Sequence, residues 1–241
     1  MARGVTAALS AGVAVFGFDP DAGTPAGRAL HVLTLRRRLP QAELDARDRF
    51  EDAAVRAVGQ AGLDLGGRRG RGSQRLHLVD VDDAPGRGRA VTVWYYATAP
   101  YTALPGPGTW TPAGRGVRLD GADAAALRVA LDRLRADTRQ LAGAVALLGE
   151  VFTGDDLLRV HNALHGGTEG SERTFRRRIQ ELRDTGVLRT VRDSEVAALR
   201  LRIPRFRSPA GTGGRPPELL RYSGTGGEDE QLAALRARRA G

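Results

Sequence analysis

The sequence contains no cysteine and no lysine, although 37 of its 241 residues are basic. Without cysteine, the chain has no disulfides, thiolate metal sites, iron–sulfur ligands or cysteine nucleophiles. The missing lysine, together with abundant alanine, glycine and arginine, indicates a coding bias towards GC-rich codons. The number of arginines is therefore weak evidence of function, and only their distribution along the chain is informative.

Long apolar runs are also missing. No stretch of about 18 uncharged apolar residues occurs, so the sequence predicts no transmembrane helix. The apolar segment Val5–Phe18 has the length of a short signal peptide, but its β-branched and aromatic residues and the turn at Asp19-Pro20-Asp21 favour a strand. With no cysteine to indicate export, we expect a cytoplasmic protein. Serine is scarce, and no nucleophilic triad is visible.

Positive charge is concentrated in one fifth of the chain. The formal net charge is +9, and residues 173–222, with 13 arginines against five acidic residues, carry most of it. Such a block is typical of a surface that binds a polyanion, most simply nucleic acid. A solvated arginine surface is the alternative interpretation, and it is the commoner one for charge runs in general.

The first segment, residues 1–119, mixes strand and helix patterns. Strands are predicted at Thr6–Phe18, Arg28–Arg37, Arg75–Val81 and Arg89–Ala99, and a helix at Gln41–Gly62. The order strand, strand, helix, strand, strand predicts an α+β domain rather than a doubly wound parallel sheet.

The second segment, residues 120–150, is predicted to be a linker or dimerisation helix. Leucine recurs every seven residues at Leu127, Leu134, Leu141 and Leu148. Heptads of this kind permit a coiled-coil contact between two chains, and they equally permit packing on the chain's own core. Both interpretations stay open from the sequence.

The third segment, residues 151–223, has the pattern of a winged helix-turn-helix. Thr153 and Asp156 match a helix capping box, and Gly186 is placed to end a second, arginine-rich helix. Strands are then predicted at Val187–Val191, Arg200–Phe206 and Leu219–Tyr222. Residues 224–241 are predicted to be a flexible tail.

The arginine-rich helix has one apolar stripe. With Phe175 as the inward direction, Ile179 and Leu182 fall within about 40° of it, so the opposite side is free to read DNA. Outward arginines suit guanine edges in the major groove, whereas flanking arginines and those of the wing suit phosphates. The predicted DNA-binding residues are Arg173, Thr174, Arg176, Arg177, Arg178, Gln180, Arg205, Arg207 and Arg215.

Four motifs in this order carry a family resemblance. They are Phe152-Thr153, Thr174-Phe175-Arg176-Arg177-Arg178, Thr185-Gly186-Val187-Leu188 and Gly214-Arg215-Pro216-Pro217-Glu218-Leu219-Leu220-Arg221-Tyr222. Together they resemble the C-terminal winged helix of the Nudix-related transcriptional regulators, the NrtR type. The loop at residues 192–213 is longer than in that pattern. The resemblance implies a transcriptional regulator that binds an operator in double-stranded DNA. The leucine repeat and the two-fold symmetry of operators predict that it binds as a homodimer.

The resemblance also implies that residues 1–119 form a Nudix-like α/β/α sandwich. Leu39-Pro40 and Gly62-Leu63 match the entry and the end of a Nudix box that begins at Gln41. The positions of its catalytic glutamates are occupied by Arg47, Arg56, Gly59 and Gln60, and Val55 replaces its arginine. Those glutamates hold Mg²⁺ and activate water, which arginine and glycine cannot do. We therefore expect no enzyme activity and no cofactor.

The resemblance implies a nucleotide effector such as ADP-ribose for this domain. Five arginines are candidates to bind its diphosphate bidentately: Arg36, Arg37, Arg38, Arg87 and Arg89. Two other functional classes stay open. One is a divergent Nudix hydrolase that uses other carboxylates on a nucleoside diphosphate derivative, and the other is a scaffold protein.

Two weaker signals have structural alternatives. His161 and His165 are spaced as a metal pair on a helix, but no cysteine or nearby third ligand accompanies them and His161 falls on the apolar stripe, which favours packing. The segment Gly66–Ser73 has the composition of a phosphate-binding loop and also of an ordinary loop between a helix and a strand.

Overall fold

The chain folds into two compact units. Unit 1 comprises Met1–Asp19 and Leu30–Asp137, and unit 2 comprises Pro20–Ala29 and Thr138–Gly241. The computed structural model describes residues 8–22, 29–65, 76–84, 90–114, 117–138, 144–166, 169–202 and 217–223. These units differ from the segments predicted from the sequence in two ways. Residues 20–29 belong to the second unit, and most of the predicted linker helix belongs to the first. Within the described ranges no helix is long and apolar enough to cross a membrane.

Unit 1 is built on a mixed sheet with two helices. Its elements are β1 (Ala8–Phe18), β2 (Leu30–Thr34), β3 (Gln41–Glu43), α1 (Phe50–Gln60), β4 (His77–Ala84), β5 (Ala90–Thr98), β6 (Thr109–Pro112) and α2 (Gly121–Asp137). The strand order is β4-β5-β1-β2-β6, with β3 paired to β1 beyond β2. Strands β1 and β5 run parallel, and the other described pairs are antiparallel.

Each face of this sheet is covered by a different helix. Because neighbouring residues of a strand point to opposite faces, β1 and β5 each supply both layers. On one face Val13 belongs to the same apolar core as Val58 of α1. On the other face are Trp94 and Tyr96, and the Tyr96 hydroxyl donates a hydrogen bond to Asp137 at the end of α2. The predicted α/β/α sandwich is confirmed.

Glycine is required where α1 ends. Gly62 has a φ of +87°, in the left-handed region that glycine tolerates best. A Cβ on Gly62 would lie 2.4 Å from the backbone nitrogen of Gly106, so the two backbones approach too closely for any side chain. The predicted helix stop at Gly62 is therefore correct, and packing fixes it as well as backbone conformation.

The start predicted for the first helix is wrong. Residues Gln41–Glu43 form β3, because they pair with Ser10–Gly12 of β1. Helix α1 begins only at Phe50, where the Asp52 carboxylate accepts the Arg49 backbone N–H at 3.2 Å. The sheet partner therefore overrides the helical periodicity of the sequence at this point.

Helix α2 is shorter than the helix predicted for residues 120–150. Helix α2 ends at Asp137, and residues 139–143, including Leu141, lie outside the described residues. Leu127 and Leu134 are only 7% and 1% exposed within the single chain. At Leu127 and Leu134 the structure therefore supports packing on the chain's own core, and the dimer stays a prediction.

Unit 2 is a winged helix. Its elements are β7 (Val151–Thr153), α3 (Gly154–His165), α4 (Glu169–Asp184), β8 (Leu188–Thr190), α5 (Asp193–Arg202) and β9 (Leu219–Tyr222). The three strands form an antiparallel sheet in the order β7-β9-β8. The predicted capping box is confirmed, because Thr153 Oγ1 accepts from the Asp156 backbone N–H at 3.0 Å and Asp156 Oδ2 accepts from the Thr153 N–H at 2.9 Å.

The strand predicted at Arg200–Phe206 is not formed up to Arg202. Helix α5 takes that place, with acidic Asp193 and Glu195 in its first turn and arginines in its last turn. This charge order stabilises a helix through its dipole. Val196 and Leu199 of α5 pack on the apolar core of the small sheet.

Candidate nucleic-acid interface and effector site

Helix α4 is held in unit 2 by its apolar stripe. Phe175 is 8% exposed and Leu182 is fully buried, as the helical spacing predicts. The Phe175 ring stacks on His161 of α3, with the ring centroids 4.8 Å apart. Gly186, with a φ of +76°, follows the end of the helix as predicted. These contacts fix which side of α4 points away from the core.

The outward side of α4 is basic and exposed. The exposed candidates are Arg173, Thr174, Arg176, Arg177 and Gln180. Arg178, on the flank, is half-buried and raises the local potential at His161. The helix therefore presents a polar stripe with arginines at both its start and its middle, which is the arrangement that major-groove reading needs.

Acidic residues accompany two of these arginines. Arg176 lies 2.9 Å from Glu172 and 3.5 Å from Asp155, and Arg177 lies 3.3 Å from Glu181. The Arg176 and Arg177 side chains are 62% and 77% exposed. The Arg176 pairs are exposed on both sides and contribute at most about 1 kcal/mol, so phosphates can replace their carboxylates. Glu181 is only 7% exposed, so Arg177 is the exposed partner of a buried carboxylate.

Arg183 and Glu218 form a link that the sequence gives no signal for. Arg183 of α4 donates to Glu218 Oε1 at 2.8 Å, and the Thr190 hydroxyl of β8 donates to the same oxygen at 2.8 Å. The three residues tie the end of α4 to β8 and to the residue before β9. The predicted wing arginines Arg205, Arg207 and Arg215 lie outside the described residues.

The histidines of α3 belong to packing rather than to a metal site. His161 and His165 have ring centroids 4.9 Å apart, and Thr138 Oγ1 lies 3.4 Å from His165 Nε2. Burial, His165 and Arg178 together lower the pKa of His161. A buried imidazole beside a guanidinium is a poor place for a metal cation.

Arg56 of α1 is surrounded by carboxylate and carbonyl oxygens. Arg56 of α1 lies 2.5 Å from Asp48 and 3.5 Å from Asp45, and it donates to the Glu43 carbonyl at 2.6 Å. The hydrogen bond from Arg56 is the main reason that the pKa of Asp48 is lowered. The nearby oxygens are thus already neutralised by a guanidinium.

This donor set does not fit Mg²⁺. Arg47, Gly59 and Gln60 are exposed and offer no carboxylate, and Val55 at the box arginine position is 45% exposed. Within the described part of the chain no three histidine, aspartate or glutamate side chains come together as metal ligands.

Arg36 and Arg37 form a strained turn between β2 and β3. Leu35 and Arg38 exchange two backbone hydrogen bonds of 2.8 and 3.0 Å, which close a two-residue turn. The φ angles of Arg36 and Arg37 are +52° and +66°, a conformation in which non-glycine residues are uncommon. Both side chains are exposed, and neither pairs with a carboxylate of the described residues.

Arg38 differs from its two neighbours because it is held by carboxylates. It donates to both oxygens of Asp123 at 3.4 Å, and it lies 3.7 Å from Asp120. Asp123 is 1% exposed and also accepts the Leu39 backbone N–H at 2.9 Å. The structure thus brings Arg36, Arg37 and Arg38 onto one turn, while Arg87 and Arg89 lie outside the described residues.

Known structures share this two-unit fold, although no protein-family model and no curated protein matches the sequence. NrtR of Shewanella oneidensis in complex with a 27mer DNA superposes with a TM-score of 0.62 at 19% identity, over 89% of this chain and 93% of that chain. NrtR of Shewanella oneidensis also superposes with a TM-score of 0.61 at 20% identity, over 89% and 94%.

A MutT/nudix family protein from Enterococcus faecalis shares the fold as well. Its TM-score is 0.57 at 13% identity, over 92% of this chain and 89% of that chain. At identities this low, the superpositions establish the fold, and a function has to be argued from the residues of this chain. The chain therefore has the fold of the NrtR-type Nudix-related regulators, a Nudix-like unit joined to a winged helix.

Proposed function

We propose that the protein is a DNA-binding transcriptional regulator whose Nudix-like unit senses a nucleotide instead of hydrolysing it. The observation that carries the proposal is the outward arginine face of α4, positioned by Phe175 and Leu182 in a winged helix. The shared fold with an NrtR that was crystallised on a 27mer DNA supports it. The localisation in the cytoplasm stays a prediction from the sequence.

The test of DNA binding is a titration of the full chain against the promoter region of its own gene. We expect an inverted repeat in that region to bind more tightly than random duplex of equal length. The affinity should fall steeply with salt, because arginines displace counterions from phosphates. Equal affinity for both duplexes, or binding that ignores salt, would contradict the proposal.

The effector is proposed to be a nucleotide with a diphosphate, such as ADP-ribose. Three guanidiniums on one turn suit phosphoryl oxygens, since each can bind bidentately. Arg56 in the Nudix-box helix, paired with Asp48, supports sensing rather than turnover. A thermal-shift screen of ADP-ribose, ADP and NAD without metal tests this part, and a shift that needs added Mg²⁺ would count against it.

A homodimer is also part of the proposal, because a two-fold operator needs two reading helices. The seam must lie outside Leu127 and Leu134, which their own chain buries. Light scattering of the free and DNA-bound protein at tens of micromolar tests the state. A monomer under both conditions would remove the dimer from the proposal.

A further inference from the structure

The three arginines of the β2–β3 turn differ in their ion-pair partners. Arg36 and Arg37 stand exposed at the tip in a costly backbone conformation, whereas Arg38 is shared by Asp120 and Asp123. A strained backbone conformation of this kind persists only where the surrounding structure enforces it, and such positions are common at ligand-binding sites. The turn therefore presents two available cations beside a third that is already engaged.

The ion pair between Arg38 and Asp123 joins an exposed guanidinium to a buried carboxylate. The Arg38 side chain is 54% exposed and its contacts with carboxylates are 3.4–3.7 Å long. Asp123 is nearly fully buried, and it also accepts the Leu39 backbone N–H at 2.9 Å, a donor separate from Arg38. An anion in solvent can thus compete for Arg38 without leaving Asp123 wholly without a donor.

Asp120 and Asp123 belong to the start of α2. The Asp120 carbonyl accepts the Ala124 N–H at 2.8 Å in the first turn, and Asp123 is part of that turn. Helix α2 ends at Asp137, the last residue of unit 1, and Thr138 starts the second segment of unit 2. Any change in how Arg38 holds the first turn therefore acts on the helix that leads directly into unit 2.

We propose that Arg38 is a switch residue: a diphosphate bound by Arg36 and Arg37 recruits Arg38 from Asp120 and Asp123 and so loosens the first turn of α2. This inference rests on the proposed effector site and adds how its occupancy is transmitted. A diphosphate supplies more oxygens than two exposed arginines satisfy, and a guanidinium binds phosphate bidentately. The remaining phosphoryl oxygens of the diphosphate would therefore attract the Arg38 guanidinium.

The experiment uses the full chain with inorganic pyrophosphate as the probe, without metal. Hydrogen–deuterium exchange is measured over residues 120–127, and affinity is measured by calorimetry. Pyrophosphate should increase exchange in this segment in the parent. Asp120→Asn removes a competitor, so it should bind pyrophosphate about two- to fivefold more tightly. A purely structural Arg38–Asp120 pair would leave that affinity unchanged.

Arg36→Ala and Arg38→Ala form the matched pair. Both should weaken pyrophosphate binding, but only Arg38→Ala should raise exchange over residues 120–127 in the ligand-free protein. Pyrophosphate binding that leaves exchange in this segment unchanged, or an Asp120→Asn variant with parental affinity, would overturn the switch. If pyrophosphate does not bind at all, the proposed effector site is wrong. DNA binding by α4 does not depend on that result, because the DNA titration of the full chain tests it separately.

Discussion

Arg56 and Asp48 lie 2.5 Å apart, so a guanidinium of α1 forms an ion pair with a carboxylate just before the helix. We expect no metal-dependent hydrolysis of ADP-ribose. Turnover at about 1 s⁻¹ or faster with Mg²⁺ or Mn²⁺ would contradict this prediction. The single change Arg56→Glu should not create activity, because Gly59 and Gln60 still supply no carboxylate.

Arg177→Ala is expected to weaken binding to the operator by about 1–3 kcal/mol and to relax the preference at one base pair. Its side chain is 77% exposed, whereas its partner Glu181 is only 7% exposed, so thermal unfolding of the variant is measured alongside DNA binding. Fluorescence anisotropy against the operator and single-base variants measures both effects. Arg135→Ala, an exposed arginine of α2 paired with Asp132, is the control and should bind as the parent does.

Arg176→Ala should act differently from Arg177→Ala. Arg176 leaves the flank of α4, where it suits a phosphate that positions the helix without reading sequence. We expect operator and random DNA to be weakened alike, with the slope of log affinity against log salt reduced by about one unit. Loss confined to the operator would assign Arg176 to base reading instead.

Acidification should destabilise unit 2 through His161. Its pKa is lowered, chiefly by burial, so the unfolded chain takes up the proton first. The stability of unit 2 is then complete above the ordinary histidine pKa of about 6.5 and falls as the pH drops from there towards the lowered value. Thermal unfolding between pH 7.5 and 5.5 should show this loss. His161→Phe, which keeps a ring on Phe175, should flatten the curve, and an unchanged curve would argue against this assignment.

Leu134→Ala is expected to lower the free energy of unfolding by about 2–5 kcal/mol while leaving any dimer intact. The side chain is 1% exposed within unit 1, so its loss opens a cavity in the core. Val129→Ala on the same helix is the control, since Val129 is 42% exposed and its change should stay within about 0.5 kcal/mol. Dissociation of a dimer by Leu134→Ala without loss of stability would restore the leucine seam.

Replacing the strained turn by Arg36→Asn with Arg37→Gly should stabilise the protein by about 1–2 kcal/mol and weaken pyrophosphate binding. Asparagine and glycine adopt the left-handed conformation at lower cost than arginine does. Arg47→Asn removes an exposed arginine whose φ is not positive, so it controls for charge alone and should give no such gain. A double variant that is less stable than the parent would show that the turn is not strained.

Local signals predicted unit 2 well. The capping box at Thr153, the buried stripe through Phe175 and the helix end at Gly186 each depend on a few neighbouring residues, and all three are present in the structure. Short-range sequence patterns were therefore enough to predict where these helices start and end and which side they bury. Helix α5 was not predicted, because residues 193–199 were assigned to the long loop and Arg200–Phe206 to a strand.

Features that depend on partners far along the chain could not be predicted. Gln41–Glu43 is a strand only because β1 lies beside it, and heptad leucines look the same whether they face a second chain or the chain's own core. The turn at Arg36 and Arg37 carries none of the asparagine or glycine that announces such a turn. The pairs Arg38–Asp123 and Arg183–Glu218 likewise join residues that no spacing rule connects.

Arg159 of α3 donates hydrogen bonds to the carbonyls of Pro20 and Ala22, which lie about 140 positions earlier in the chain. During synthesis at roughly 5–20 residues per second, those carbonyls leave the ribosome on the order of 10 s before Arg159 does. Unit 2 is therefore completed last although part of it is made early. A plasmid that encodes residues 138–241 alone would produce this unit without the segment that Arg159 holds, so its boundaries call for co-expression of both pieces or for the whole chain.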